Sequence, residues 1–300
     1  MNHGSLFSRR NLIKTSLGAA AASSLPSLAG SAEEKKLRWE FCTFSKPLQD
    51  LSYDECAKVI AEVGFDGIEA PVRPEGQVVP EKVDEDLPKL IDALKKQGLS
   101  MTLLTSGINE VSDEQHTEKV LKTAAELGVK RFRMAYYKYD LNQPIFPQLA
   151  DFKAKLKDLV ALTDEIGIKP VYQNHSGKNY FGAPIWDLYE VFTDYDPKQL
   201  GVAFDIGHAT VEGAKAWPLN FALIRPFVDT VYLKEPHWND NKLDWGPIGE
   251  GAVDKGFFKT LKNSDFDGPI SIHIEYLDRR VPEVTAAMHE NFATVKKLLG

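Results

Sequence analysis

Cysteine is nearly missing from this chain. Only Cys42 and Cys56 occur in 300 residues, with no Cys-x-x-Cys and no Cys/His spacing of the zinc type. A multi-disulfide scaffold and a structural zinc site are therefore excluded. Cys42 falls in an apolar run that reads as a strand and Cys56 in the helix that follows, so both are expected as buried free thiols. Positive charge is also in deficit, with 36 Lys and Arg against 43 Asp and Glu. That balance lacks the basic excess needed to neutralise phosphates or hold an anionic membrane, so neither nucleic acid nor a lipid surface is expected as a partner. No apolar run is long enough to insert stably in a bilayer, and no Gly-rich phosphate loop follows the first strand pattern. What is present is 43% hydrophobic residues, enough for one large α/β core, and a small-molecule ligand becomes the default.

Ser8-Arg9-Arg10-Asn11-Leu12-Ile13-Lys14 resembles a twin-arginine export signal, followed by a weakly apolar, Ala-rich stretch to Ala29. Residues 1–32 are expected to be a leader cleaved near Gly30 to Ala32. The protein is then expected in the periplasm or exported, with residues 33–300 forming one folded domain.

The remainder alternates between strand and helix patterns. Leu37 to Phe44 reads as a strand, and Ser52 to Glu55 as a capping box that opens a helix. A unit then repeats in which a helix ends in Gly and turns directly into an apolar run, at Gly64, Gly98, Gly128 and Gly167. Leu200 to Asp205, Val228 to Lys234 and Ile270 to Tyr276 supply three more strands, with helices between them and a final helix from about Pro282. Eight strand–helix units in this length predict a single (βα)8 TIM barrel, whose active site lies on the loops after the strands. Arg73 to Pro80 and Glu235 to Gly251 are the long loops on that face, the second carrying Trp238 and Trp245 as candidate sugar-stacking aromatics.

Chemistry-bearing residues gather at the same strand ends. Asp205 and His208 fall where the sixth strand gives way to a loop. Of the 7 histidines, His175, His208, His237 and His273 lie at or just past strand ends, while His116 and His289 fall on helices. Glu69, Gln173, Lys234, Glu235 and Glu275 join them. Alternate strand residues share a face, so Gln173 pairs with His175 and His273 with Glu275. Lys46, Arg73, Asn174, His237 and Trp238 are positioned to meet substrate; Arg133, Tyr136 and Tyr137 lie on the same face without an assigned role.

The motifs GFDGIEA (64–70), Asp205-x-x-His208, VYLKE (231–235), GEG (249–251) and GPISIHIEY (268–276) resemble the xylose isomerase-like barrels of sugar isomerases and epimerases. YQNHSG (172–177) and DIGHATVEG (205–213) are similar to an exported subgroup. The resemblance implies a divalent metal held by a Glu, an Asp, a His and a Glu on the fifth to eighth strands, with the two Glu exchanging protons with a sugar. Here Gln173, Asp205 and Tyr232 stand at the first three positions, and His273 or Glu275 at the fourth. Three arrangements follow. A metal (Mn, Zn, Co or Mg) could be rebuilt on Asp205, His175, His273 and Glu275. Metal-free catalysis could use Lys234 or a protonated His, including His208, against an enediolate, with His273 or Glu275 as base. Or the site binds sugar without reaction.

The expected function is an isomerase or epimerase that removes a proton beside the carbonyl of an unphosphorylated sugar or glycoside. A lyase acting on 3-keto-glycosides by the same step, and a non-catalytic sugar-binding protein, are the alternatives. An endonuclease IV-like nuclease would need a denser cluster of metal-binding His and acids.

Overall fold

The protein is described by a computed structural model covering residues 37–277 and 280–300. The expected leader, residues 1–32, lies outside the described residues. Eight parallel strands close into a barrel: β1 (Phe41–Phe44), β2 (Gly67–Val72), β3 (Ser100–Ser106), β4 (Arg131–Arg133), β5 (Lys169–Gln173), β6 (Gly201–Asp205), β7 (Val228–Leu233) and β10 (Ile270–Ile272). β1 pairs with β2 on one side and β10 on the other, so no edge is left open. β8 (Glu235–Asn239) and β9 (Lys242–Gly246) form an antiparallel hairpin outside the barrel. This is the segment expected as a plain loop after the seventh strand.

Around the barrel run α1 (Tyr53–Val63), α2 (Val83–Lys96), α3 (Thr117–Glu126), α4 (Ile145–Ile166), α5 (Trp186–Phe192), α6 (Ile206–Gly213), α7 (Trp217–Ile224), α8 (Gly256–Lys262) and α9 (Val281–Leu299). Ser52 and Glu55 make the reciprocal capping box at the start of α1. The glycines after α1 to α4, at 64, 98, 128 and 167, all have positive φ, which lets the chain leave each helix in the left-handed conformation and enter the next strand at once.

Two apolar layers result. Buried residues between sheet and helices form the main core, and a small separate cluster of Leu103, Val171, Ala203 and Tyr232 fills the barrel interior. Above that plug the strand ends carry the polar groups. Cys42 and Cys56 are buried free thiols, as expected, and burial raises the pKa of both. Among the described residues no helix is long and apolar enough to cross a membrane.

Two boundaries differ from the sequence reading. The first strand begins at Phe41 rather than Leu37, and the eighth ends at Ile272 rather than Tyr276. Asp205 and His208 are not in a loop: Asp205 is the N-cap of α6 and its side chain accepts from the His208 N–H at 3.0 Å.

Candidate active site

A pocket of about 380 Å³ opens at the C-terminal mouth of the barrel, the size of a small-molecule site. Phe44, Tyr136, Trp245 and Tyr276 supply its aromatic wall, and Trp245 and Gly246 reach it from the hairpin. The polar lining comes from the ends of seven different strands or the loops after them.

Among the lining groups is Glu69, on β2, a fully buried carboxylate. Glu69 accepts from Tyr232 at 2.8 Å, Ser271 at 2.7 Å and His273 Nε2 at 2.9 Å, and from Thr105. Burial pushes its pKa up, but the His273 charge and hydrogen bond, with Thr105 and Arg133, outweigh this and hold it at about 2. His273 Nδ1 meets Glu275 Oε1 at 3.2 Å. Both ring nitrogens thus face carboxylate oxygens, which requires hydrogen on each. The ring is an imidazolium, its pKa raised because Glu69 and Glu275 overcome the burial cost.

Glu275 is the carboxylate that faces the cavity. Besides His273 it is met by Lys46 at 3.1 Å and Lys234 at 3.1 Å. Burial disfavours its charge, yet these cations pull its pKa well below the ordinary carboxylate range. Lys234 stands at the centre of the site, 3.5 Å from Asp205 Oδ2, 3.3 Å from His208 Nε2 and 5.3 Å above the Trp245 ring. Desolvation opposes its charge, but Asp205 and Glu275 raise its pKa above the ordinary lysine value.

A lysine ammonium can only donate, so His208 Nε2 accepts and Nδ1–H donates to Ser176 Oγ at 2.8 Å. His208 is therefore neutral; burial and then Lys234 drive its pKa far down. The same direction of donation excludes Ser176 as a nucleophile activated by His208. His175 donates Nδ1–H to the Ser176 carbonyl at 2.8 Å and stacks between His208 and Tyr180, at 3.8 and 4.6 Å between ring centres. Burial lowers its pKa to about 4, leaving a neutral ring that lines the pocket.

Gln173 links two of these groups. Its Nε2 donates to Asp205 Oδ2 at 2.7 Å, and its Oε1 accepts from the Tyr136 hydroxyl at 2.6 Å. A Glu here would set two carboxylates against each other; the amide turns that contact into a hydrogen bond.

The structure brings together Lys46, Glu69, Arg73, Gln173, His175, His208, Lys234, His273 and Glu275 around this cavity. Three expected substrate contacts fall elsewhere. Asn174 is buried and exchanges two hydrogen bonds with the Asp205 backbone, at 2.7 and 3.0 Å, clamping β5 to β6. His237 packs its ring against Gly246 in the hairpin, outside the cavity lining. Trp238 points to solvent with 45% exposure, and it is Trp245 that covers the mouth. Ser176 and Phe44 line the cavity and had no assigned role; the only sequence signal for Ser176 was its place in YQNHSG.

The description "Xylose isomerase-like TIM barrel" belongs to the family model that matches residues 57–296. The chain belongs to this family. Among curated proteins, the uncharacterised protein MJ1311 of Methanocaldococcus jannaschii is 30% identical over 121 residues, 39% of this chain and 40% of that protein. This chain thus matches less than half of that relative's length. Among solved structures, 3-keto-D-glucoside 4-epimerase from E. coli superposes with a TM-score of 0.65 at 17% identity, covering 86% of this chain and 99% of that one. A family member from Mycobacterium smegmatis, solved in complex with magnesium, gives 0.64 at 12% identity over 87% and 98%. These likenesses establish the fold.

A family relative thus binds a divalent metal, and the side chains here can be tested for the same fit. Of the four donors expected from sequence, His273 has both nitrogens committed to carboxylates, and the Lys234 ammonium already contacts both Asp205 and Glu275. An ion bound by those two carboxylates would sit against a fixed positive charge. Among the described residues no three His, Cys, Asp or Glu side chains converge as a metal site. The rebuilt ligand set of Asp205, His175, His273 and Glu275 does not fit a divalent cation.

Proposed function

We propose that the protein is a carbohydrate-active enzyme that moves a proton at the carbon beside a sugar carbonyl, an isomerase or epimerase in which Lys234 supplies the positive charge. The observation that carries this reading is the Lys234 ammonium held between Asp205 and Glu275 at the floor of an aromatic-walled pocket. Such an ammonium polarises a carbonyl and stabilises the enediolate that forms on proton loss. Glu275 receives the proton. Three cations keep it ionised, so it is always available but intrinsically weak, and the reaction depends on Lys234 acidifying the C–H bond. His273 is already an imidazolium and serves as the fixed charge behind Glu275 rather than as base. The proton that Glu275 takes up is the one it gives back to the enediolate, so the step balances on a single carrier; neutral His175, whose Nδ1–H is spent on the Ser176 carbonyl, lines the cavity without a proton to deliver. The family membership and the 3-keto-D-glucoside 4-epimerase among its structural neighbours support a sugar as substrate.

Keto-sugars and 3-keto-glucosides incubated in D2O with a chelator, followed by proton NMR, test the reading. Exchange beside the carbonyl is expected without metal, falling about 10²- to 10⁴-fold in Glu275→Gln, as for loss of a general base. Exchange with release of an aglycone would redirect the assignment to the lyase that shares this step. Sugar binding with no exchange in any substrate would overturn catalysis and leave a binding protein.

A further inference from the structure

The cavity holds a guanidinium that the proton-transfer chemistry does not use. Arg73 follows β2, and its backbone is pinned on both sides: its N–H donates to the Val78 carbonyl at 3.1 Å, and its carbonyl accepts from Gly76 at 2.9 Å. The side chain lines the pocket and lies 5.9 Å from the Phe44 ring centre, yet makes no ion pair and no side-chain hydrogen bond among the described residues. Arg133 lines the same wall, with its Nη1 bonded to the Met134 carbonyl at 3.2 Å, a 3.4 Å contact from Nε to Thr105 and its guanidinium 4.8 Å over the Tyr136 ring. Two guanidiniums facing one cavity repel each other, and burial followed by Arg133 makes the Arg73 charge harder to hold.

No acid in the pocket is free to answer them. Glu69 already accepts from four groups and Glu275 from three. Glu235 is spent on the N–H groups of Gly249 and Val253, at 2.8 and 2.7 Å. A half-buried guanidinium with five donors and no acceptor is poised for a ligand that brings its own.

We infer that the substrate carries an oxyanion, a carboxylate or a phosphate, which Arg73 binds. The inference rests on the carbohydrate reading and narrows it to acidic sugars. The planar fork of Arg73 matches two oxygens of either group, and the ligand charge relieves the repulsion with Arg133. Orientation follows: the acidic end of the sugar lies toward the β2 and β4 side of the mouth, leaving the remaining carbons toward Lys234.

Titration calorimetry with D-glucuronate, D-galacturonate, D-glucose 6-phosphate and the neutral parents D-glucose and D-galactose tests this on the wild type, Arg73→Gln and Arg73→Lys. The charged sugars are expected to bind about 10- to 100-fold more tightly than the neutral ones. That preference should vanish in Arg73→Gln and return in part in Arg73→Lys. Whether uronate or phosphate gains more separates the two anions. Equal binding of charged and neutral sugars, a preference that survives Arg73→Gln, or no binding of any charged sugar would overturn the inference. The exchange assay, run on keto-sugars both with and without an acidic group, judges the proton-transfer reading separately, so the charge preference can fail while exchange stands.

Discussion

At the scale of single residues, the site is an alternating chain of charges. Glu69, His273, Glu275 and Lys234 succeed one another at 2.9, 3.2 and 3.1 Å, and each has a partner of opposite sign on either side or a hydrogen-bond donor. Removing a link strands its buried neighbour. Glu69→Gln leaves the buried His273 with one counterion, and a loss of about 3–5 kcal/mol is expected in chemical denaturation, the range for breaking a buried ion pair. The pH dependence has two limbs. Glu69 has its pKa lowered from 4.5 to about 2, so its stabilisation is present above pH 4.5 and disappears as pH falls through 2. His273 has its pKa raised from 6.5, so its stabilisation is complete below pH 6.5 and disappears as pH rises through the folded value. The stability difference between wild type and His273→Gln should therefore peak between those limits, and a series of melts from acid to mildly alkaline pH checks it.

At the scale of elements, α6 is what brings the chain together. Its N-cap Asp205 fixes the helix entry, His208 sits in its first turn, and Gly207 between them allows Lys234 and Trp245 to approach the helix backbone. A Cβ on Gly207 would lie 2.6 Å from both Cγ and the carbonyl oxygen of Lys234 and 3.1 Å from Trp245. The backbone oxygen cannot retreat without moving the end of β7. Gly207→Ala is expected to cost about 1–3 kcal/mol from overpacking, and to depress turnover further than the stability loss explains, because the Lys234 ammonium shifts relative to Glu275. Parallel measurement of exchange rate and denaturation midpoint separates the two effects. The β8–β9 hairpin acts on the same point from above, since its Trp245 ring closes over Lys234 and meets His208 edge-on at 5.1 Å between ring centres.

At the scale of the whole molecule, the barrel supplies one mouth where seven strand ends meet, and charge compensation there is built from side chains. A bound metal would add stability by mass action, about 2.7 kcal/mol at a hundredfold excess over its dissociation constant. Here the melting temperature is expected to stay constant on adding a chelator, Mn²⁺, Mg²⁺ or Zn²⁺. A clear upward shift with one ion at micromolar concentration would restore the metal-assisted alternative. Lys234→Ala supplies the converse test: with the ammonium gone, Asp205 and Glu275 lose their shared cation, and any affinity for divalent ions should rise.

The amino-acid sequence alone determined the architecture and the address of the site. Four helix-ending glycines with the same local chemistry, at 64, 98, 128 and 167, set the strand–helix rhythm, and a closed parallel barrel puts its polar strand ends on one face. Glu69, Gln173, Asp205, Lys234, His273 and Glu275 were legible there because strand periodicity and position are local properties. Which way each group points was not local. Lys234 takes the place between Asp205 and Glu275 only because β6, β7 and β10 are neighbours in the barrel, and that contact turns an apparent set of metal ligands into a network already neutralised. Asn174 likewise lies beside the site in sequence yet outside its cavity, since one residue along a strand end exchanges inside for outside, whereas His237 and Trp238 are carried away from it by the β8–β9 hairpin. The Arg73 guanidinium was marked as a substrate contact by its position after the second strand, and the tertiary structure adds that it is half-buried beside acids already engaged, which leaves it waiting for an anion.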